Sequence, residues 1–190
     1  MPAVPRTDDI DRAAARIREG GIVAYPTEAV YGLGCDPTNE AAVRRLLALK
    51  QRPEGKGLIL LAAHVEQLAP FIAPLTDALR ARILPTWPGP VTWVVPVAAG
   101  TPRWLHGEHD SIAVRVTDHG VARRLCEAAG TALVSTSANR GDQPPARTAD
   151  EVERALGADL DLILDAPTGG LDRPTEIRDA RDGTILRPGQ

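Results

Sequence analysis

The chain has 190 residues, 43% of them hydrophobic and 25% charged, and a net charge of -3. That size and balance suit one soluble globular domain. They exclude a protein working by basic charge spread along nucleic acid, and no apolar run nears the ~20 residues of a membrane span.

The elements read in chain order as alternating helices and strands. Thr7 or Asp8 is placed to cap a first helix with Ile10, Ala13, Ala14 and Ile17 on its apolar face, ended by Gly20-Gly21. Ile22–Tyr25 reads as a buried strand stopped by Pro26, and Thr27–Pro37 as a loop carrying Gly32 and Gly34. A second helix is expected from about Asn39 to Leu49, with Pro53 preventing its continuation. Leu58–Ala62 is a strand, followed by helical or turn-like material from Val65 to Leu84.

Val91–Val97 and Ser111–Val116 are strands, the second alternating. Asp118 is placed to cap a helix ending at Gly130, and Ala132–Ser135 is a further buried strand. Thr148 to Glu151 forms a capping box for a helix reaching Leu156. Short strands close the chain at Leu162–Asp165, Thr175–Arg178 and Thr184–Arg187. This alternation predicts a single α/β domain over the whole chain, with helices packed on a sheet.

Cys35 and Cys126 lack CxxC spacing and read as reduced thiols of a cytoplasmic protein. The start, Met1-Pro2-Ala3-Val4-Pro5-Arg6, lacks the apolar stretch of a secretory leader. No GxxxxGK[ST], strand-linked GxGxxG or GxSxG occurs, which argues against the common phosphate loops and the serine-hydrolase elbow. His106 and His109 form an HxxH without further ligands at metal spacing and read as loop residues. His64 and His119 read as helix-start or loop residues.

The basic residues are distributed unusually. Of 22 Lys and Arg residues only Lys50 and Lys56 are lysines, and both lie in Lys50-Gln51-Arg52-Pro53-Glu54-Gly55-Lys56. An ammonium is a compact point charge and a guanidinium a planar fork, so the pair grips phosphate oxygens in two ways. In an extended segment Lys50 and Arg52 project to the same side. A solvated helix end complementing the macrodipole is the plainer reading.

Far downstream, strand Ala132–Ser135 runs into Thr136-Ser137-Ala138-Asn139-Arg140-Gly141. Hydroxyls, an amide and free backbone N–H groups beyond a strand end suit an anion or nucleotide, although a turn that only redirects the chain uses the same residues. Arg115, inside an apolar strand, requires an anionic partner: an internal carboxylate or a substrate carboxylate.

Tyr25-Pro26-Thr27-Glu28-Ala29-Val30-Tyr31-Gly32-Leu33-Gly34, Lys50-x-Arg52-Pro53, Ser137-Ala138-Asn139 and the terminal Leu186-Arg187-Pro188-Gly189, in that order, resemble the TsaC/YrdC threonylcarbamoyl-AMP synthases. The resemblance covers nearly the whole chain, in the short bacterial form without a C-terminal extension. It implies a single domain around a twisted mixed parallel and antiparallel sheet, with flanking helices and a concave basic face.

It also implies synthesis of threonylcarbamoyl-AMP and pyrophosphate from L-threonine, bicarbonate or CO2, and ATP accompanied by Mg²⁺. The product would go to a separate transferase complex that modifies tRNA. Carried over by position, ATP would meet Lys50, Arg52, Ser111, Ser137, Asn139, Pro145 and Arg187, with Lys50, Arg52, Ser137 and Asn139 at the chemistry. Threonine would meet Thr27, Arg115, Ser135 and Thr175, which makes its carboxylate the partner of Arg115. Ala29, Lys56 and Arg140 depart from the commoner family residues.

Two other readings compete. One is an RNA-binding module (an rRNA or tRNA chaperone) using the same basic face without ATP turnover, against which stand the acidic balance and 3% aromatic content. The other is a carbamoyl-adenylate former of hydrogenase maturation, whose zinc modules need more residues and cysteines than this chain has.

Overall fold

The computed structural model describes residues 3–141 and 143–189. Met1 and Pro2, which open the stretch read as lacking a leader, and Gln190 lie outside the described residues. The strands are β1 Arg6–Thr7, β2 Val23–Pro26, β3 Tyr31–Gly34, β4 Ile59–Ala62, β5 Val91–Pro96, β6 Ser111–Val116, β7 Leu133–Ser137, β8 Leu162–Leu164, β9 Glu176–Asp179 and β10 Ile185–Arg187. The helices are α1 Ile10–Arg18, α2 Glu40–Lys50, α3 Asp77–Ile83, α4 Arg103–His106, α5 Gly120–Ala129 and α6 Ala149–Leu156.

The strands form one mixed, twisted sheet in the order β1-β8-β2-β3-β7-β4-β6-β5-β9-β10. Pairings such as β4 with β6 are parallel, whereas β3 with β7 and β5 with β6 are antiparallel. Among the described residues no helix is long and apolar enough to cross a membrane.

Period-two alternation decides what each face does. On β6, Ile112, Val114 and Val116 enter the larger core, with Val43 and Leu46 of α2 and Trp93 of β5. Ser111, Ala113 and Arg115 point to the other face and line a cavity. On that second face α1 and α5 cover one end: Ala13, Ala14 and Ile17 pack with Leu125 and Cys126 over Val23, Tyr25, Leu61 and Leu133. The remainder of that face is left for the cavity.

Several local expectations are corrected by tertiary contacts. The segment Thr27–Pro37 is no loop throughout, because Tyr31–Gly34 is a fully buried strand pairing with both β2 and β7. Its glycines hid it. Gly34 is there because a Cβ would stand 2.7 Å from the Tyr25 ring and 2.8 Å from the Val134 carbonyl oxygen.

The cap of α1 is Asp9, whose carboxylate accepts from Asp11 and Arg12 N–H. Thr7 instead belongs to β1 and accepts from Asp9 N–H at 3.1 Å. The cap of α5 is His119 rather than Asp118, whose N–H is turned towards Glu28. Thr148 caps α6 as expected, but the Glu151 carboxylate accepts from Arg147 N–H.

Candidate active site

The floor of the cavity follows from strand register. Ser135 lies beside Ile59, Ile59 beside Ala113, Ala113 beside Val94, and Val94 beside Asp179. All five line the cavity, whose volume is about 730 Å³. The adjacent row places Arg115 next to Leu61 and Thr92 next to Ile177. The floor is thus mostly small and apolar, with polar groups at its margins.

Five cationic side chains line the cavity: Arg52, Lys56, Arg115, Arg181 and Arg187. Among the described lining residues Asp179 is the only carboxylate, and Arg181 pairs with it at 3.1 Å. A chain of net charge -3 therefore concentrates positive charge at one place. Such a concave cationic site attracts polyanions.

Nine of the eleven residues singled out from the sequence line this cavity: Arg52, Ser111, Ser137, Pro145, Arg187, Thr27, Arg115, Ser135 and Thr175. Lys50 and Asn139 do not; they lie just behind its wall. The expectation that Lys50 and Arg52 extend side by side is corrected. Lys50 is the last residue of α2, and Gln51 takes a left-handed conformation with φ of 51°. Gln51 N–H and Arg52 N–H donate back to Ala48 and Leu47 carbonyls, a Schellman-type close in place of an extended segment.

Lys50 spends all three ammonium protons on oxygens of the Ser/Asn turn. It donates to the Ser137 carbonyl at 2.7 Å, the Asn139 carbonyl at 2.8 Å and the Asn139 side-chain oxygen. Burial, then the charge of Arg52, lowers Lys50 to about 8, against three acceptors that favour the charged form. Ser137 Oγ donates to the same Asn139 oxygen at 2.7 Å, and Asn139 Nδ2 donates to the Gly141 and Gln143 carbonyls. The turn is held as a unit with Ser137 facing the cavity. Arg52 lines the cavity and braces its own loop by donating to the Gly57 carbonyl at 3.0 Å.

Arg115 has an internal carboxylate partner, one of the two kinds that its place in an apolar strand calls for. Its Nη1 lies 2.5 Å from Glu28 Oε1, and the two side chains are 6% and 10% exposed. Glu28 Oε1 also accepts from Thr117 Oγ1 at 2.7 Å and from Asp118 N–H at 3.3 Å. Burial pushes the Glu28 carboxyl up, but Arg115 and these hydrogen bonds outweigh it and hold the group below its ordinary value. Thr27, one residue earlier, donates from Oγ1 to the Val30 carbonyl at 2.7 Å.

Residues that the sequence reading left without a role also reach the cavity: Lys56, Thr92, Thr136, His106 and His109. Thr92 is fully buried and its Oγ1 has no hydrogen-bond partner. A lone hydroxyl residue in the otherwise apolar run Val91–Val95 was the available signal for Thr92. His106 is no loop residue but the last residue of α4, and its Nδ1 lies 2.6 Å from the carbonyl oxygen of His109 in the following turn, so that nitrogen carries the proton. His119 accepts from Ala122 N–H through Nδ1 and donates through Nε2 to the Pro167 carbonyl.

A divalent cation would find no protein cage here. Among the described residues no cluster of three His, Cys, Asp or Glu could hold a metal ion.

The family model described as telomere recombination (Sua5, YciO, YrdC) matches residues 15–189. The chain belongs to the Sua5/YciO/YrdC family. A threonylcarbamoyl-AMP synthase of Halorhodospira halophila is 54% identical over 186 residues, spanning 98% of this chain and 97% of the relative. P. abyssi Sua5 carrying H234A and Y235A superposes with a TM-score of 0.92 at 31% identity, covering all of this chain. P. abyssi Sua5 complexed with L-threonine gives a TM-score of 0.88 at 32% identity over 98% of this chain. This chain spans 61% and 57% of those P. abyssi chains. The cavity thus belongs to a member of the Sua5/YciO/YrdC family, one relative of which is complexed with L-threonine.

Proposed function

We propose that this chain is an L-threonylcarbamoyladenylate synthase, a nucleotidyltransferase that forms threonylcarbamoyl-AMP and pyrophosphate from L-threonine, bicarbonate or CO2, and ATP. One observation carries the reading: Arg115 with Thr27 and Ser135 shares a single cavity with Arg52, Ser137 and Arg187. The first group suits an amino acid's carboxylate and hydroxyl; the second suits phosphates. Relatives named threonylcarbamoyl-AMP synthase at more than half identity support it.

In this reading threonine's neutral amine takes up CO2, and a carbamate oxygen attacks the α-phosphorus. The new P–O bond forms as the bond to the β-phosphate breaks, and pyrophosphate leaves with the electron pair. No protein nucleophile is needed. The chain's task is to hold the two reactants in line, which is worth up to ~7–11 kcal/mol of barrier, and to offset charge on the phosphates. Arg52 and Arg187 do the latter from the wall, while Lys50 and Asn139 hold Ser137 in place. Mg²⁺ would arrive on the nucleotide, held by phosphate oxygens and water, as Asp179, the lone carboxylate among the described cavity residues, is already paired.

A cytoplasmic location fits the two buried free thiols, Cys35 and Cys126. The product, a reactive mixed anhydride, suits direct transfer to a separate tRNA-modifying transferase.

The deciding experiment measures pyrophosphate release from ATP, omitting threonine and bicarbonate in turn, with Arg52→Ala alongside. Release that needs all three substrates and falls at least 100-fold in the variant supports the assignment. Salt-sensitive RNA binding with no pyrophosphate release would replace it by the RNA-binding reading.

A further inference from the structure

We propose that Glu28 is a positioning residue for the amino-acid end of the cavity, acting through Arg115. This rests on the reading that threonine is the amino acid bound.

Glu28 does not line the cavity; its neighbours Thr27 and Ala29 do. Its backbone is clamped from two sides. Thr27 N–H donates to the Val30 carbonyl at 3.1 Å, which closes the turn between β2 and β3. From outside, Gly169 N–H donates to the Thr27 carbonyl at 2.9 Å and Leu171 N–H to the Glu28 carbonyl at 3.0 Å. Gly169 comes so close that a Cβ there would lie 2.9 Å from the Glu28 carbonyl oxygen.

The side chain is then directed inward at Thr117, Asp118 N–H and Arg115. A buried ion pair is a weak source of stability, because removing both charges from water costs about what their attraction returns. Keeping one in the wall of a substrate cavity calls for another purpose. Arg115 projects from the centre of the sheet beside Thr92, whose buried hydroxyl has no partner. The ion pair between Nη1 and Glu28 holds the guanidinium plane in place, while Nε and Nη1 make no hydrogen bond within the protein, so Arg115 keeps N–H groups for a ligand carboxylate. A bidentate arginine–carboxylate contact depends on that plane.

The pairing also sets selectivity. Arg115 and Glu28 together are neutral, so this end does not attract anions indiscriminately as the Arg52 and Lys56 end does. It binds a carboxylate through geometry.

Calorimetric titration of the whole protein with L-threonine and with L-threoninamide, which lacks the carboxylate charge, tests this. Unaltered protein should prefer threonine by at least tenfold. In Glu28→Gln, threonine affinity should fall at least tenfold towards that of the amide, with amide affinity and ATP affinity within twofold of the original. Glu28→Asp should restore part of the preference. Should Glu28→Gln fail to fold, Thr117→Val, which removes one donor to Oε1, should lower threonine affinity about threefold and leave amide binding alone. A folded Glu28→Gln or Thr117→Val that binds threonine as before, or loses both ligands equally, overturns the proposal. If unaltered protein binds no threonine, the assigned function itself fails, a result separate from either variant's.

Discussion

The ammonium of Lys50 donates to both oxygens of Asn139, one on the main chain and one on the side chain, across 89 residues of sequence. The end of α2 and the turn after β7 are thereby one structure. Whatever Ser137 does in the cavity depends on a lysine that does not reach it.

A double-mutant cycle follows from that contact. Lys50→Met takes the ammonium away from three oxygens, leaving Ser137 O with Asn139 N–H and Asn139 Oδ1 with Ser137 Oγ, and Asn139→Ala removes one of those oxygens with the two carbonyl contacts of Nδ2. Hydrogen bonds to charged groups are worth ~1.5–3 kcal/mol each, so each single variant should lose at least 2 kcal/mol of stability and most turnover. Because the defects are shared, the double variant should lose at least 1 kcal/mol less than the sum. Urea unfolding of the four proteins measures this. Strict additivity would mean that the two residues act separately.

Acid stability should depend on Glu28. Its folded-state pKa is lowered, so below the ordinary carboxylate value the unfolded chain binds the extra proton first. Glu28's contribution is therefore fully present above its unfolded value of about 4.5 and is lost as pH falls through the lower folded value. Melting temperatures taken from pH 7 to pH 3 should fall less steeply for Glu28→Gln than for the unaltered protein. Parallel curves would indicate that the carboxylate titrates alike in both states.

Gly34→Ala tests the packing at the end of the β2–β3 pair away from its turn. The new methyl would sit 2.7 Å from the Tyr25 ring, which is fully buried, and 2.8 Å from a main-chain oxygen of β7. Neither neighbour has room to move in a close-packed interior. Overpacking of this kind costs ~1–3 kcal/mol, and a thermal melt should show a drop of several degrees. Gly120→Ala, whose Cβ meets nothing within 4 Å, is the control and should leave the melt unchanged.

Much of this molecule is determined by local pattern. The alternation in Ser111–Val116 already separates Ile112, Val114 and Val116 from Ser111, Ala113 and Arg115, and the motifs around Thr27, Arg52 and Ser137 mark the family. The strand at Tyr31–Gly34 escaped because two of its four residues are glycines, whose place in a strand comes from close neighbours rather than from propensity. Only the tertiary structure decided which partner each buried charge takes. Periodicity tells which residues share a face; it does not tell which part of that face α1 and α5 cover, and so where the cavity lies. Nor does it reveal that Lys50 closes on Asn139 and Arg115 on Glu28. A charge taken out of water must find an oppositely charged or polar group, and that group comes from whichever distant segment the packed sheet brings within about 3 Å.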